Sequence, residues 1–148
     1  MPELGSFGRK MNANSIGYPG TPLAKKLGIT ADAHVLVVDA PDDYPNLLAP
    51  LPEGVVFEKS LSKRTGIVHL FSIRKARLAA KLETLRDSIQ PDAAVWVSWP
   101  KKASNVPTDI TEETIRELAL PLGFVDIKVC AVSEVWSGLK LVIRKKLR

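Results

Sequence analysis

Ala93-Ala-Val-Trp-Val-Ser-Trp-Pro-Lys-Lys-Ala-Ser104 opens with seven nearly all-apolar residues, meets a proline after Trp99, and continues with two lysines and a serine. An apolar run this short, bounded by turn chemistry, reads as a strand buried on both faces. In an open α/β sheet, ligands gather outside the carboxyl ends of the strands. The stretch therefore predicts a central strand over 93–99 and, directly after it, a basic loop where a ligand would sit.

Similar runs lie upstream. His34-Val-Leu-Val-Val-Asp-Ala40 is a doubly buried strand, closed by Pro41-Asp-Asp-Tyr44. Val55-Val-Phe-Glu58 follows Gly54 as a second strand, and Gly66-Ile-Val-His-Leu-Phe-Ser-Ile73 as a third. Residues 44–51 can hold one or two helical turns, since Pro45, Pro50 and Pro52 forbid more. The basic loop over 60–65 is too short for a crossover helix. Leu78, Leu82, Leu85 and Ile89 recur at helical spacing and predict a helix over 75–89.

Downstream, Thr111 can cap a helix whose buried side is Ile115, Leu118 and Leu122, with Glu112 and Glu113 at its positive end. Residues 125–131 alternate as a half-exposed strand does. A turn around Ser137-Gly138 then leads to a last, antiparallel strand over 139–145. Near the start, Thr21 is expected to cap a short helix with Pro22 at its first position and Gly28 at its end. Residues 1–15 are polar and aperiodic and are expected to form a flexible tail. Strands alternating with helices predict one Rossmann-like, three-layer α/β domain over 16–148. Its mostly parallel sheet of about six strands ends in an antiparallel hairpin.

Composition narrows the class further. The chain has 148 residues, 45% hydrophobic and 25% charged, as a globular domain does. No run approaches the ~20 apolar residues of a membrane span, and the start carries no apolar secretory segment. The single cysteine, Cys130, forms no internal disulfide, so a cytoplasmic setting is expected. His34 and His69 lie far apart with no cysteine near either, which excludes most zinc sites. The net charge of +5 equals the five cations that follow Glu134: Lys140, Arg144, Lys145, Lys146 and Arg148. Such a stretch attracts polyanions, or serves as a solvated edge strand whose lysines block edge pairing.

Two resemblances rest on particular residues. Gly17-Tyr-Pro-Gly-Thr-Pro-Leu-Ala-Lys-Lys-Leu-Gly-Ile29, Trp96-Val-Ser-Trp-Pro-Lys-Lys-Ala-Ser104 and Val129-Cys-Ala-Val-Ser-Glu-Val-Trp-Ser-Gly-Leu-Lys-Leu-Val142 resemble a family of small bacterial proteins, a domain of unknown function. That resemblance brings no activity with it. The half from Ala93 onward is similar in architecture to the end of class I S-adenosylmethionine-dependent methyltransferases. Such enzymes follow their first strand with a glycine-rich turn. Here that place is Val38-Asp-Ala-Pro-Asp42, and the chain is one strand–helix unit short between Glu58 and Ile67. The resemblance implies ribose contact by Glu58, at the end of the second strand, and a cofactor-side role for Asp39.

The candidate ligand residues are Lys101 and Lys102 as cations for phosphate or carboxylate, Ser104 as a hydroxyl and Trp99 as a wall. Thr21 and Lys25 join them if the first helix folds over. Asp39, Asp42 and Asp43 could hold Mg²⁺ or simply form a turn. Cys130 and both histidines read as structural, although His69 could face Asp39. The expected function is non-catalytic binding of an anionic small molecule or partner at the carboxyl edge of the sheet, without a cofactor. An atypical S-adenosylmethionine-binding enzyme and a basic nucleic-acid accessory protein are the alternatives.

Overall fold

The computed structural model describes residues 20–148, so the expected tail over 1–15 lies outside the described residues. Six strands form one sheet in the order β2-β1-β3-β4-β6-β5. β1 (His34–Val38), β2 (Val56–Glu58), β3 (Ile67–Phe71) and β4 (Ala94–Pro100) are mutually parallel. β6 (Trp136–Ile143) runs antiparallel between β4 and β5 (Phe124–Ala131). No helix of the described residues is long and apolar enough to cross a membrane.

Helices cover both faces, which is why the central strands lack polar alternation. On one face α1 (Leu23–Lys26) and α2 (Tyr44–Leu48) bury Leu23, Leu27, Tyr44 and Leu48 against Val35, Phe71 and Trp96. On the other, α3 (Lys75–Ser88) and α4 (Glu112–Ala119) lay Leu78, Leu82, Leu85 and Ile115 against Val68, Val95, Val97 and Trp99. All of β4 is buried. Its two tryptophans point to opposite faces, so one strand anchors both cores. The Trp96 indole donates to the Leu27 carbonyl at 3.0 Å and fastens α1 to the sheet.

Thr111 caps α4 as expected: its hydroxyl accepts from the Thr114 amide, and the Thr114 hydroxyl accepts from the Thr111 amide. Arg116 then ties α4 to β5 through Asp126 at 2.9 Å and to Glu112. Its guanidinium hydrogen bond holds the Asp126 carboxyl below the usual carboxylate range.

Three expectations are corrected. Thr21 makes no cap, because α1 begins one residue later: Pro22 is its N-cap and no side chain closes the end. Ser137 and Gly138 are not a turn but lie inside β6, paired with Trp99 and Ser98. The turn is at residues 132–135, where the Ser133 hydroxyl accepts from the amides of Val135 and Trp136. Gly138 suits a close approach, since a Cβ there would stand 3.0 Å from Val132 and 3.4 Å from the Trp96 ring. Finally, the basic last strand is no edge strand; β6 is interior and β5 is the edge.

β2 is only three residues long, and a short link follows it. The chain passes β1 and re-enters at the start of β3 within residues 59–66. Glu58 braces that link, accepting hydrogen bonds from the hydroxyls of Ser62 and Thr65.

Candidate functional site

The chain moves from β1 outward to β2, then returns to the other side of β1 as β3. This reversal opens a crevice at the carboxyl ends of β1 and β3, the usual ligand position in such sheets. At the end of β1, Asp39 adopts φ +57°, a left-handed turn that glycine most often supplies and aspartate tolerates. Its carboxylate stands 3.3 Å from Arg77 of α3, both groups largely exposed. Asp42 and Asp43 are exposed at the start of α2, and no cluster of metal-ligating side chains occurs among the described residues.

The loop after β4 folds back across the end of β3. Thr108 donates its hydroxyl to the Ile73 carbonyl at 2.8 Å, and Asp109 accepts from the Lys75 amide at 2.6 Å, capping α3. Pro100 completes the strand opposite Trp136, and the Lys101 amide continues the ladder by donating to the Val135 carbonyl at 2.7 Å. Lys101 is half-buried and Lys102 exposed. Neither has an ion-pair partner among the described residues.

The other expected contacts divide. Trp99 is 8% exposed and belongs to the core under α3 and α4, so it is no ligand wall. Ser104 spends its hydroxyl on its own turn: it donates to the Lys101 carbonyl at 2.6 Å and accepts from the Val106 amide. Thr21 and Lys25 are exposed. From α1 it is Lys26 that comes to this end of the sheet, its ammonium 3.3 Å from the carbonyl of Ala131. Ala131 pairs with Ser137, which pairs with Trp99, so Lys26 and Lys101 share the carboxyl end. Nothing in a helix of four residues announced which of two adjacent lysines would face that way.

Glu58 sits opposite Leu36, two residues short of the end of β1. Besides Ser62 and Thr65, it lies 3.3 Å from the His34 ring. The Ser62 and Thr65 hydrogen bonds lower its pKa, with His34 adding to them. These contacts tie it to the β2–β3 link.

His69 was expected to pack, or to meet Asp39. It is wholly buried beside the crevice floor, between the Tyr44 hydroxyl at 2.7 Å and the Ser98 hydroxyl at 2.7 Å. Phe71 stacks on its ring at 4.4 Å, and Trp136 meets Phe71 edge-on. Burial pushes the imidazole down to about 3 and the Tyr44 phenol upward. The relay therefore joins α2, β3 and β4 through neutral groups. A lone histidine inside an apolar run was the only sequence signal for it.

No protein-family model matches the chain, and no curated protein matches its sequence. Solved structures do. A SAM-dependent methyltransferase from Aquifex aeolicus aligns over 82% of this chain and 87% of its own, with TM-score 0.57 and 13% identity. The DhpI–SAH complex aligns over 84% and 83%, with TM-score 0.57 and 13% identity. The tRNA methyltransferase TrmK of B. subtilis aligns over 82% and 65%, with TM-score 0.57 and 12% identity. The fold is thus a shortened Rossmann-like fold of the S-adenosylmethionine methyltransferase type.

The residues at the crevice do not fit that cofactor in its usual seat. The turn after β1 has aspartate, alanine and proline where glycines would let the ligand approach, and Glu58 is already engaged.

Proposed function

We propose that this domain binds a small molecule carrying an anionic group at the carboxyl edge of its sheet. S-adenosylmethionine, with its methionyl carboxylate on Lys101 and Lys102 and its adenosine outside the usual seat, is the first ligand to test. The observation that carries the reading is the point at the carboxyl ends of β1 and β3 where the sheet order reverses, with Lys101 and Lys102, free of ion pairs among the described residues, on the loop after the adjoining β4, in a fold whose solved neighbours include complexes with SAH and SAM. In this reading Lys101 and Lys102 supply the charge. Arg77 orients Asp39, and Thr108 and Asp109 hold the loop in place.

A second reading, favoured by the engaged Glu58 and the glycine-free turn, is a non-catalytic site for an anion without an adenosyl group. Calorimetry with S-adenosylmethionine, S-adenosylhomocysteine and inorganic phosphate separates the two. The first predicts saturable binding of an adenosyl ligand, weakened about tenfold or more by Lys101→Gln with Lys102→Gln, a loss of roughly 1.4 kcal/mol. Phosphate binding alone, lost in the same variant, supports the second. Binding of S-adenosylmethionine abolished by Glu58→Ala would restore the ribose contact. Absence of heat with every ligand refutes both readings.

A further inference from the structure

A second charged surface lies at the opposite end of the sheet. β6 runs antiparallel to β4, so its final residues stand beside the first of β4, at the amino edge of the parallel strands. The chain leaves β6 there as Arg144-Lys-Lys-Leu-Arg148, through the single turn Lys145–Leu147. Arg144, Lys145, Lys146 and Arg148 are all exposed. Backbone contacts hold the segment in place. The Arg144 amide donates to the Gly123 carbonyl at 2.8 Å, and its guanidinium donates to the Leu120 carbonyl at 3.2 Å. The Arg148 guanidinium donates to the Ile143 carbonyl at 2.8 Å. Leu147 rests so close to Gly123 that a Cβ there would come within 2.8 Å of it. Arg86, from the last turn of α3, reaches the same place and donates to the Leu122 carbonyl. Among the described residues, none of the four exposed cations has an ion-pair partner.

We propose that this amino edge binds the phosphate backbone of a nucleic acid without reading its sequence. A docked row of lysine and arginine neutralises phosphates and releases their counterions. Arginine adds a planar fork that fits phosphate oxygens. The nearby aromatic residue, Phe124, is fully buried, so no base can stack there. Leu147 is the only apolar residue among the last five, and it leans on Gly123. Leu147 and Leu120, 47% and 38% exposed, are too few to make the apolar face that a membrane-surface helix requires, which favours nucleic acid over lipid.

Fluorescence anisotropy with a labelled DNA duplex, across a series of salt concentrations, tests the proposal. Four phosphate contacts predict a log–log salt slope of roughly −3 to −4, hence roughly a 100-fold loss of affinity between 50 and 200 mM salt. The variant Arg144→Gln/Lys145→Gln/Lys146→Gln/Arg148→Gln should flatten that slope and remove most of the binding while its circular dichroism stays unchanged. Lys81→Gln with Lys128→Gln, which removes exposed cations elsewhere, should bind as the parent does. A slope near zero, full binding by the fourfold variant, or equal loss in the control pair overturns the proposal. So does binding to phosphatidylserine vesicles without binding to the duplex.

Discussion

Acidification should weaken this protein through His69 before its carboxylates respond. The imidazole is fully buried and bonded on both sides to neutral hydroxyls, and no carboxylate among the described residues is hydrogen-bonded to it. Desolvation holds its folded pKa at about 3, against 6.5 for an ordinary histidine. The direction of the effect follows from proton counting. Below the ordinary value the unfolded chain binds a proton that the folded chain refuses, so folding stability falls as pH falls. Each pH unit in that window removes up to about 1.4 kcal/mol. From about pH 7 to about pH 5 the loss is about 2 kcal/mol, out of the 5–15 kcal/mol that domains usually have.

Urea denaturation at stepped pH reads the change. With a slope of ~1–3 kcal/mol per molar, the midpoint should move down by roughly 0.7–2 M. His69→Gln, which cannot titrate, should start less stable because it disturbs two buried hydroxyls, yet show a flatter profile over the same range. His34 is present in both proteins, so the difference isolates His69. Above about pH 5 the carboxylates of Glu58 and Asp126 stay charged in both states, since their folded values lie below normal. Parallel profiles for parent and variant would refute the reasoning.

Trp99→Ala should cost about 3–5 kcal/mol in denaturation experiments, because it empties a site in the core. A change in ligand affinity without loss of stability would return Trp99 to the crevice wall. Gly138→Ala should destabilise by about 1–3 kcal/mol, as the Trp96 ring and Val132 leave little room for a methyl group, and near-ultraviolet circular dichroism should report the displaced indole. Thr111→Ala should lower stability by about 1 kcal/mol, since α4 loses its cap, while Thr111→Ser retains most of it.

The elements were legible because apolar spacing and turn chemistry act locally. Unbroken runs at β1, β3 and β4 implied two covered faces, the stripe from Leu78 to Ile89 implied α3, and Thr111 announced α4. Gly138 misled because glycine punctuates turns as readily as it admits a neighbouring ring, and only the position of Trp96 separates those cases. The basic loop after β4 was legible in the sequence, and the partners of its side chains were not. Lys101 and Lys102 do stand at the carboxyl edge. Trp99 faces inward because alternation along β4 assigns it to the α3 side, and Ser104 was claimed by its own turn. Lys26, and not Lys25, reaches the Ala131 carbonyl through the way α1 lies on the sheet, which four residues of sequence do not specify.

By itself, then, the sequence determined an α/β domain, the order of its strands and helices along the chain, and a basic loop after its central strand. The tertiary structure alone decided that β6 is interior, that Glu58 braces a link, that His69 joins three elements, and that the last cations sit at the edge opposite Lys101. The reason is physical: periodicity and capping depend on residues a few positions apart, whereas strand order, register and the partners of a buried polar group depend on residues brought together from far along the chain.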